Sequence, residues 1–522
     1  GLRSYEVLDF TDSHAYWDHP SYEAGKESRL TNRPLIKQDP LSTQTLVNRL
    51  APAKMSGKPV VFTEWNSLWP NEFRAADVLT TTAYACLQDW DAIFIYCYYG
   101  GWGLSFDEAR PKIHHATVIF ADPAQAGLFP ACASMFLRHD VAAARNIIEV
   151  GFSRTDTFFP QGTPCKTKSI WPFAPYVSRV TKTYFDGVYA PTSERVSATV
   201  TSGNSAQGDY SKARRLLLFA DNPWVDLFLK RRDIGASARA LYPRLRVVPE
   251  GRFRFQFAEA DFGIPGDVLD VQLEGAIDLA SLPPGAAPFG VDKERRACVG
   301  FFAGDRVIVP AATQLLARHP EFLARLFTLS ARRWGILEAD QGYLPGGKLV
   351  SDTGELTRDW RTGVFTVDTP RTAGAAGFLA EAGSIELKQV RIECRTDFAV
   401  IVLTSLDGRD LRESEHILVT AVGRAANTGQ RLRTYDYPAG AEPSGRGRDV
   451  EVVDMGREPV LAQPVQGVVS LQRPVRRASL NAYALDPSGA RKGAANARVR
   501  EGRLNLVLSR ESETIYYELA RD

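Results

Sequence analysis

At 522 residues the chain is longer than one hydrophobic core ordinarily serves, and it predicts about three domains. Its 63 Lys and Arg against 61 Asp and Glu leave a net charge of +2, so charge gives no reason to expect nucleic acid or a membrane surface as a partner. A hydrophobic content of 44% excludes a disordered chain, no apolar run approaches the ~20 residues of a membrane span, and the six cysteines form no C-x-x-C pair.

Residues 1–155 alternate short apolar runs with helical stretches, the order of β/α units on a parallel sheet. The runs "YEVLDFTDSH", "KPVVFTEW" and "WDAIFIYCYY" predict three strands. Between the last two, Phe73, Ala76, Val78, Leu79 and Tyr84 fall at the spacing of an amphipathic helix. Residues 156–350 read as a mixed, β-rich region in which "LRVVPEGRFRFQFAEADF" alternates like a strand pair and "AATQLLARHPEFLARLFTLSARRW" is helical. Residues 351–522 carry many short strands separated by turn signals such as Asp407-Gly408, the pattern of an antiparallel β-sandwich. The expected fold is therefore multidomain, α/β plus all-β: a partial, truncated TIM-type (β/α) barrel followed by a β-sandwich.

In a parallel barrel the strand ends at the C-terminal face carry the chemistry, because the loops there converge on one pocket. Glu64 stands at such an end. The preceding strand ends in "SHAYW", which puts His14 and Tyr16 on one face of an extended segment, and the following one ends in "YCYYGGW". A carboxylate among phenol, imidazole and indole groups is equipment for attacking a sugar ring: aromatic faces stack on its C–H surface while Tyr and His donors aim the carboxylate. The plainer alternative is that Glu64 caps the next helix or pairs with Arg74.

The segments "DFTDSHAYWDHPS", "KPVVFTEWN" and "WDAIFIYCYYGGW" resemble strands six, seven and eight of the cellulase-like (β/α)8-barrel glycoside hydrolases that retain anomeric configuration. That resemblance implies Glu64 as the nucleophile, with His14 and Tyr16 orienting it. It implies Trp102 as sugar platform, with Trp65, Trp17 and Tyr98 as the other substrate-binding aromatics. The later stretches "SDTGELTRDWRTGVFTVDTPRTAGAAGF" and "ILVTAVGRAANTG" resemble the β-sandwich that follows the barrel in large bacterial members. A retaining glycosidase needs a second carboxyl about 5 Å from the first. In the family it comes from an N-E dipeptide at the end of strand four, which has no counterpart upstream of Gly1. The dipeptide Asn71-Glu72 follows the nucleophile strand instead and reads as an acid at a helix N-terminus.

The expected activity is accordingly hydrolysis of β-linked glycosides, if a second carboxylate is supplied. One runner-up is a truncated barrel put to use as an esterase, with His14, Tyr16, Glu64 and one of His19 or His114 serving an open cleft. The other is a non-catalytic carbohydrate-binding protein. No H-E-x-x-H, phosphate loop or G-x-S-x-G occurs, so neither a metal nor another cofactor is expected. Open barrel edges predict a homo-oligomer. The substrate class points to a secreted or periplasmic setting, with no signal peptide in the chain.

Overall fold

A computed structural model describes residues 4–17, 30–41, 45–99, 112–153, 173–201, 217–218, 242–248, 252–257, 269–304, 306–309, 320–344, 346–435, 449–473 and 480–521. The strands Thr11–Trp17, Val60–Ser67 and Ala92–Ile95 form a three-stranded parallel sheet with Val60–Ser67 in the middle. No closed barrel is formed among the described residues; the other sheets are separate and mostly antiparallel. Four short strands, beginning with Ile147–Ser153 and Arg179–Phe185, make a second parallel sheet.

The helix Arg74–Leu87 follows the middle strand, as its spacing predicts, but every one of its residues is buried. Its outer side is covered by the strands Thr372–Gly377 and Ala399–Ser405 from the C-terminal part of the chain and by the helix Phe129–Leu137. An all-round buried helix must satisfy its polar residues internally. Arg74 does so with the carboxylate of Asp122, while Thr80 and Thr82 donate to carbonyls one turn back, at 2.8 Å each. One apolar cluster consequently takes side chains from the whole length of the chain, from Ile36 and Leu79 through Val180 and Phe327 to Phe365 and Val402.

Asp77, on the same helix, lacks a hydrogen-bond partner for Oδ2 among the described residues. Burial pushes its carboxyl up to about 7, against the opposing pull of Ser67 and the Arg358 guanidinium. Between about pH 4, where an unfolded Asp ionises, and pH 7, the folded state holds a proton that the unfolded state releases. This contribution to stability is complete below pH 4 and is lost as pH rises through 7, on the order of 1.4 kcal/mol per pH unit. Asp77→Asn should therefore gain stability relative to the parent as pH goes from 4 to 7, read as a widening difference between their thermal midpoints.

In the middle region Arg252–Phe257 forms an antiparallel pair with Leu269–Glu274, and Val247 bridges to Ile277; the rest of the alternating stretch lies outside the described residues. The helix there is described over Pro320–Arg333; the earlier part of the predicted helical stretch lies outside the described residues. Past residue 340, a ten-stranded sheet and a five-stranded sheet, both antiparallel, face each other across a second core. Ile401, Leu403, Val419 and Leu519 come from one sheet, and Ile392, Val469, Leu471 and Leu506 from the other. Short strands between turn signals announce this region, although its central strands are apolar and buried on both faces, and the two packed sheets make a sandwich.

Candidate active site

Glu64 owes its direction to an irregularity in its strand. Against both neighbours, the strand Val60–Ser67 has one residue too many just before Glu64: His14 pairs with Glu64 although Asp12 pairs with Val61, and Ile95 pairs with Trp65 although Ile93 pairs with Phe62. A bulge of this kind breaks strict alternation and re-aims side chains. Thr63 and Glu64, though adjacent, both reach the imidazole of His14, at 2.8 Å from Nε2 and 3.4 Å from Nδ1 respectively.

The Tyr16 hydroxyl donates to Glu64 Oε2 at 2.6 Å. Burial first, and then this bond to the carboxylate, push the phenol well above its ordinary range, so it stays a donor. Both contacts fall on Oε2, leaving Oε1 without a hydrogen bond among the described residues. Side-chain exposures of 44% for His14 and 32% for Glu64 keep the group within reach of solvent. Tyr96, from the exit of the third strand, stands edge-on to Tyr16 at 6.5 Å between ring centres.

Asn66 ties the two strand exits together. Its amide donates to the carbonyls of Tyr96 and Thr117, at 2.7 and 3.0 Å, and its oxygen accepts from Gln125 at 2.7 Å. The segment after the third strand folds back, with Cys97 N–H donating to Thr117 and Phe120 N–H to Tyr98. Tyr98 is held there, 57% exposed, with its ring edge-on to Phe120. Burial raises the Cys97 thiol, and burial together with its neighbour His114 lowers His115.

The structure thus brings His14 and Tyr16 to the same carboxylate oxygen of Glu64. It does not place Trp17 or Trp65 with them as open sugar platforms: they are 1% and 3% exposed and belong to the interior. The Trp17 indole N–H donates to the Arg33 carbonyl, and Trp65, one residue past the bulge, packs within the same core cluster. Trp102 and His19 lie outside the described residues. Arg74 is not a partner for Glu64, since its guanidinium and the Asp122 carboxylate are both completely buried against each other. Glu72 is turned aside, accepting from Asn32 at 2.7 Å with Arg424 at 4.0 Å.

Sequence reading missed Asp12 and Thr63. Asp12 shares the period-two face of His14 and Tyr16, a signal that was present. Thr63 reaches the site only through the bulge, and nothing in the local pattern announces it. Among the described residues no group of three or more His, Cys, Asp or Glu could hold a metal ion, and no helix is long and apolar enough to cross a membrane.

No protein-family model matches the chain, and none of the curated proteins compared with it does. Among solved structures, alpha-L-fucosidase isoenzyme 2 from Paenibacillus thiaminolyticus is similar at a TM-score of 0.31 and 10% identity, over 92% of this chain and 62% of that one. The chain therefore spans less than two thirds of the length of that protein.

Proposed function

We propose that this chain carries the nucleophile of a retaining glycoside hydrolase acting on β-linked glycosides. The observation that carries the reading is the bond from the Tyr16 hydroxyl to Glu64 Oε2, with His14 against the same oxygen, on two adjacent parallel strands; the strand of Glu64 runs on to Ser67, three residues further than the sequence predicts. In this reading Oε1 attacks the anomeric carbon, the C–O bond to the leaving group breaks, and a general acid protonates the departing oxygen. Water then cleaves the glycosyl ester, restoring the original configuration. The acid is a second carboxyl supplied from outside the Glu64 cluster, since Glu72 is engaged elsewhere. Tyr98, exposed beside the strand exit, and Trp102 are the aromatics assigned to the sugar.

Tyr16 is assigned to hold Oε2 while Oε1 reacts. A hydrogen bond to a charged group contributes about 1.5–3 kcal/mol. Tyr16→Phe should lower kcat on aryl β-glycosides by roughly 10–100-fold, and steady-state kinetics check this.

The same residues could serve an ester, with the Glu64 cluster activating water. Turnover by the purified protein of a panel of aryl β-glycosides beside short-chain aryl esters separates the two. Glycoside turnover supports the proposal; ester turnover alone assigns the cleft to the second reading. If neither class is turned over but a polysaccharide binds, and binds equally to Glu64→Gln, the chain is a binding protein.

A further inference from the structure

The mutual geometry of Asp12, Thr63 and His14 fixes which nitrogen of the imidazole carries a proton. The Asp12 carboxylate accepts twice from Thr63: from its backbone N–H at Oδ1, 3.1 Å, and from its hydroxyl at Oδ2, 2.7 Å. An ionised carboxylate only accepts, so the Thr63 hydroxyl hydrogen is committed to Asp12. What the Thr63 oxygen offers His14 Nε2, 2.8 Å away, is a lone pair. That contact is a hydrogen bond only if Nε2 carries the hydrogen. The carboxylates on either side balance, Asp12 Oδ2 lying 3.4 Å from Nε2 and Glu64 Oε2 3.4 Å from Nδ1, so the Thr63 oxygen decides.

We propose that Asp12 and Thr63 are positioning residues that lock neutral His14 as its Nε2–H tautomer, leaving Nδ1 as the ring's proton-accepting atom, 3.4 Å from Glu64 Oε2. The inference deepens the reading of the Glu64 site and depends on it only for its consequence: the proton-exchanging nitrogen faces the reacting carboxylate and not Asp12. The tautomer itself follows from hydrogen-bond bookkeeping along one chain of atoms, Asp12 to Thr63 to His14. Both links leave one orientation. Ser13, between Asp12 and His14, takes no part in it, whereas the bulge that turns Thr63 toward His14 is essential.

The test is the imidazole nitrogen spectrum of His14 in protein labelled with [15N]histidine, taken at about pH 8, above the ordinary histidine range. With seven histidines in the chain, the resonance is assigned by its loss in His14→Gln. In the wild type Nε2 should appear as the protonated nitrogen and Nδ1 as the unprotonated one. Thr63→Val, which keeps the shape but removes the acceptor, should shift both resonances toward a mixture of tautomers, and Thr63→Ser should restore the wild-type pattern. Asp12→Asn places an amide donor against the Thr63 oxygen, frees the hydroxyl to donate to Nε2, and should move the proton to Nδ1. A wild-type spectrum with the hydrogen on Nδ1 overturns the proposal, and this outcome needs no variant to fold. An unchanged spectrum in folded Thr63→Val overturns it as well. Neither result depends on whether the protein cleaves glycosides, so the failure of this inference and the failure of the proposed activity are told apart.

Discussion

Glu64→Ala is expected to lower turnover of an activated aryl β-glycoside by on the order of 10^4-fold, about 5 kcal/mol of transition-state stabilisation, as removal of a nucleophile from a coupled catalytic group does. The loss should fall on kcat, because Glu64 forms its bond to the sugar in the transition state and not on binding. Adding azide should restore part of the rate, since the anion fits the space vacated by the carboxylate and attacks from the same side. Its product should be the α-glycosyl azide, identified by its anomeric proton resonance. Loss of the acid/base carboxyl of a retaining enzyme would instead let azide attack the glycosyl ester from the β face and give the β-glycosyl azide. Tyr16 and His14 converge on Oε2, and Oε1 is left to react.

The second large effect concerns the anchor beneath the site. Arg74 and Asp122 are both fully buried, joined by two hydrogen bonds of 2.6 and 2.8 Å. The guanidinium also donates to the carbonyls of Asn71 and Ala425, at 2.8 and 3.0 Å. Arg74→Met leaves the Asp122 carboxylate buried and unpaired, at an expected loss of about 3–5 kcal/mol. Because Ala425 belongs to the C-terminal part of the chain, the variant should loosen its packing on the Arg74–Leu87 helix. Denaturant unfolding followed by both tryptophan fluorescence and far-ultraviolet circular dichroism should show an earlier transition, with the two signals no longer coincident. The double change Arg74→Met with Asp122→Leu should recover much of the loss, because an apolar pair of similar volume leaves no bare charge. If Arg74→Met unfolds at the wild-type midpoint, the buried pair does not hold these regions together.

Those two effects differ in how far the sequence announces them. The strand leading to Glu64 could be read because Val60, Val61 and Phe62 are an apolar run ending abruptly in polar residues, and the His14/Tyr16 pair because a strand repeats every second residue. The sandwich strands were legible because Val390–Cys394, Ala399–Ser405 and His416–Val422 are short apolar runs standing between clear turns. The bulge at Phe62–Thr63 was not legible, because an extra residue in one strand is defined only by its two neighbours. Nor was the burial of the whole Arg74–Leu87 helix. Its threonines, Arg74 and Asp77 look like a solvated face, and only strands some 300 residues away in sequence cover them. Trp65 illustrates the cost of reading locally: beside Glu64 in the sequence, it packs into the core while Glu64 lines the site.

The most direct test of Glu64 as a nucleophile is covalent trapping. A 2-deoxy-2-fluoro β-glycoside with a dinitrophenolate leaving group needs no general acid, because that phenolate departs unprotonated, so the first step depends on the attacking carboxylate alone. Incubation with a panel of such sugars, followed by peptide mass spectrometry, should find one fluoroglycosyl group per chain on Glu64, in the peptide containing "VVFTEWNSLW", and none in Glu64→Gln. A label on another carboxylate, or no label from any sugar that the protein demonstrably hydrolyses, would contradict the assignment of Glu64.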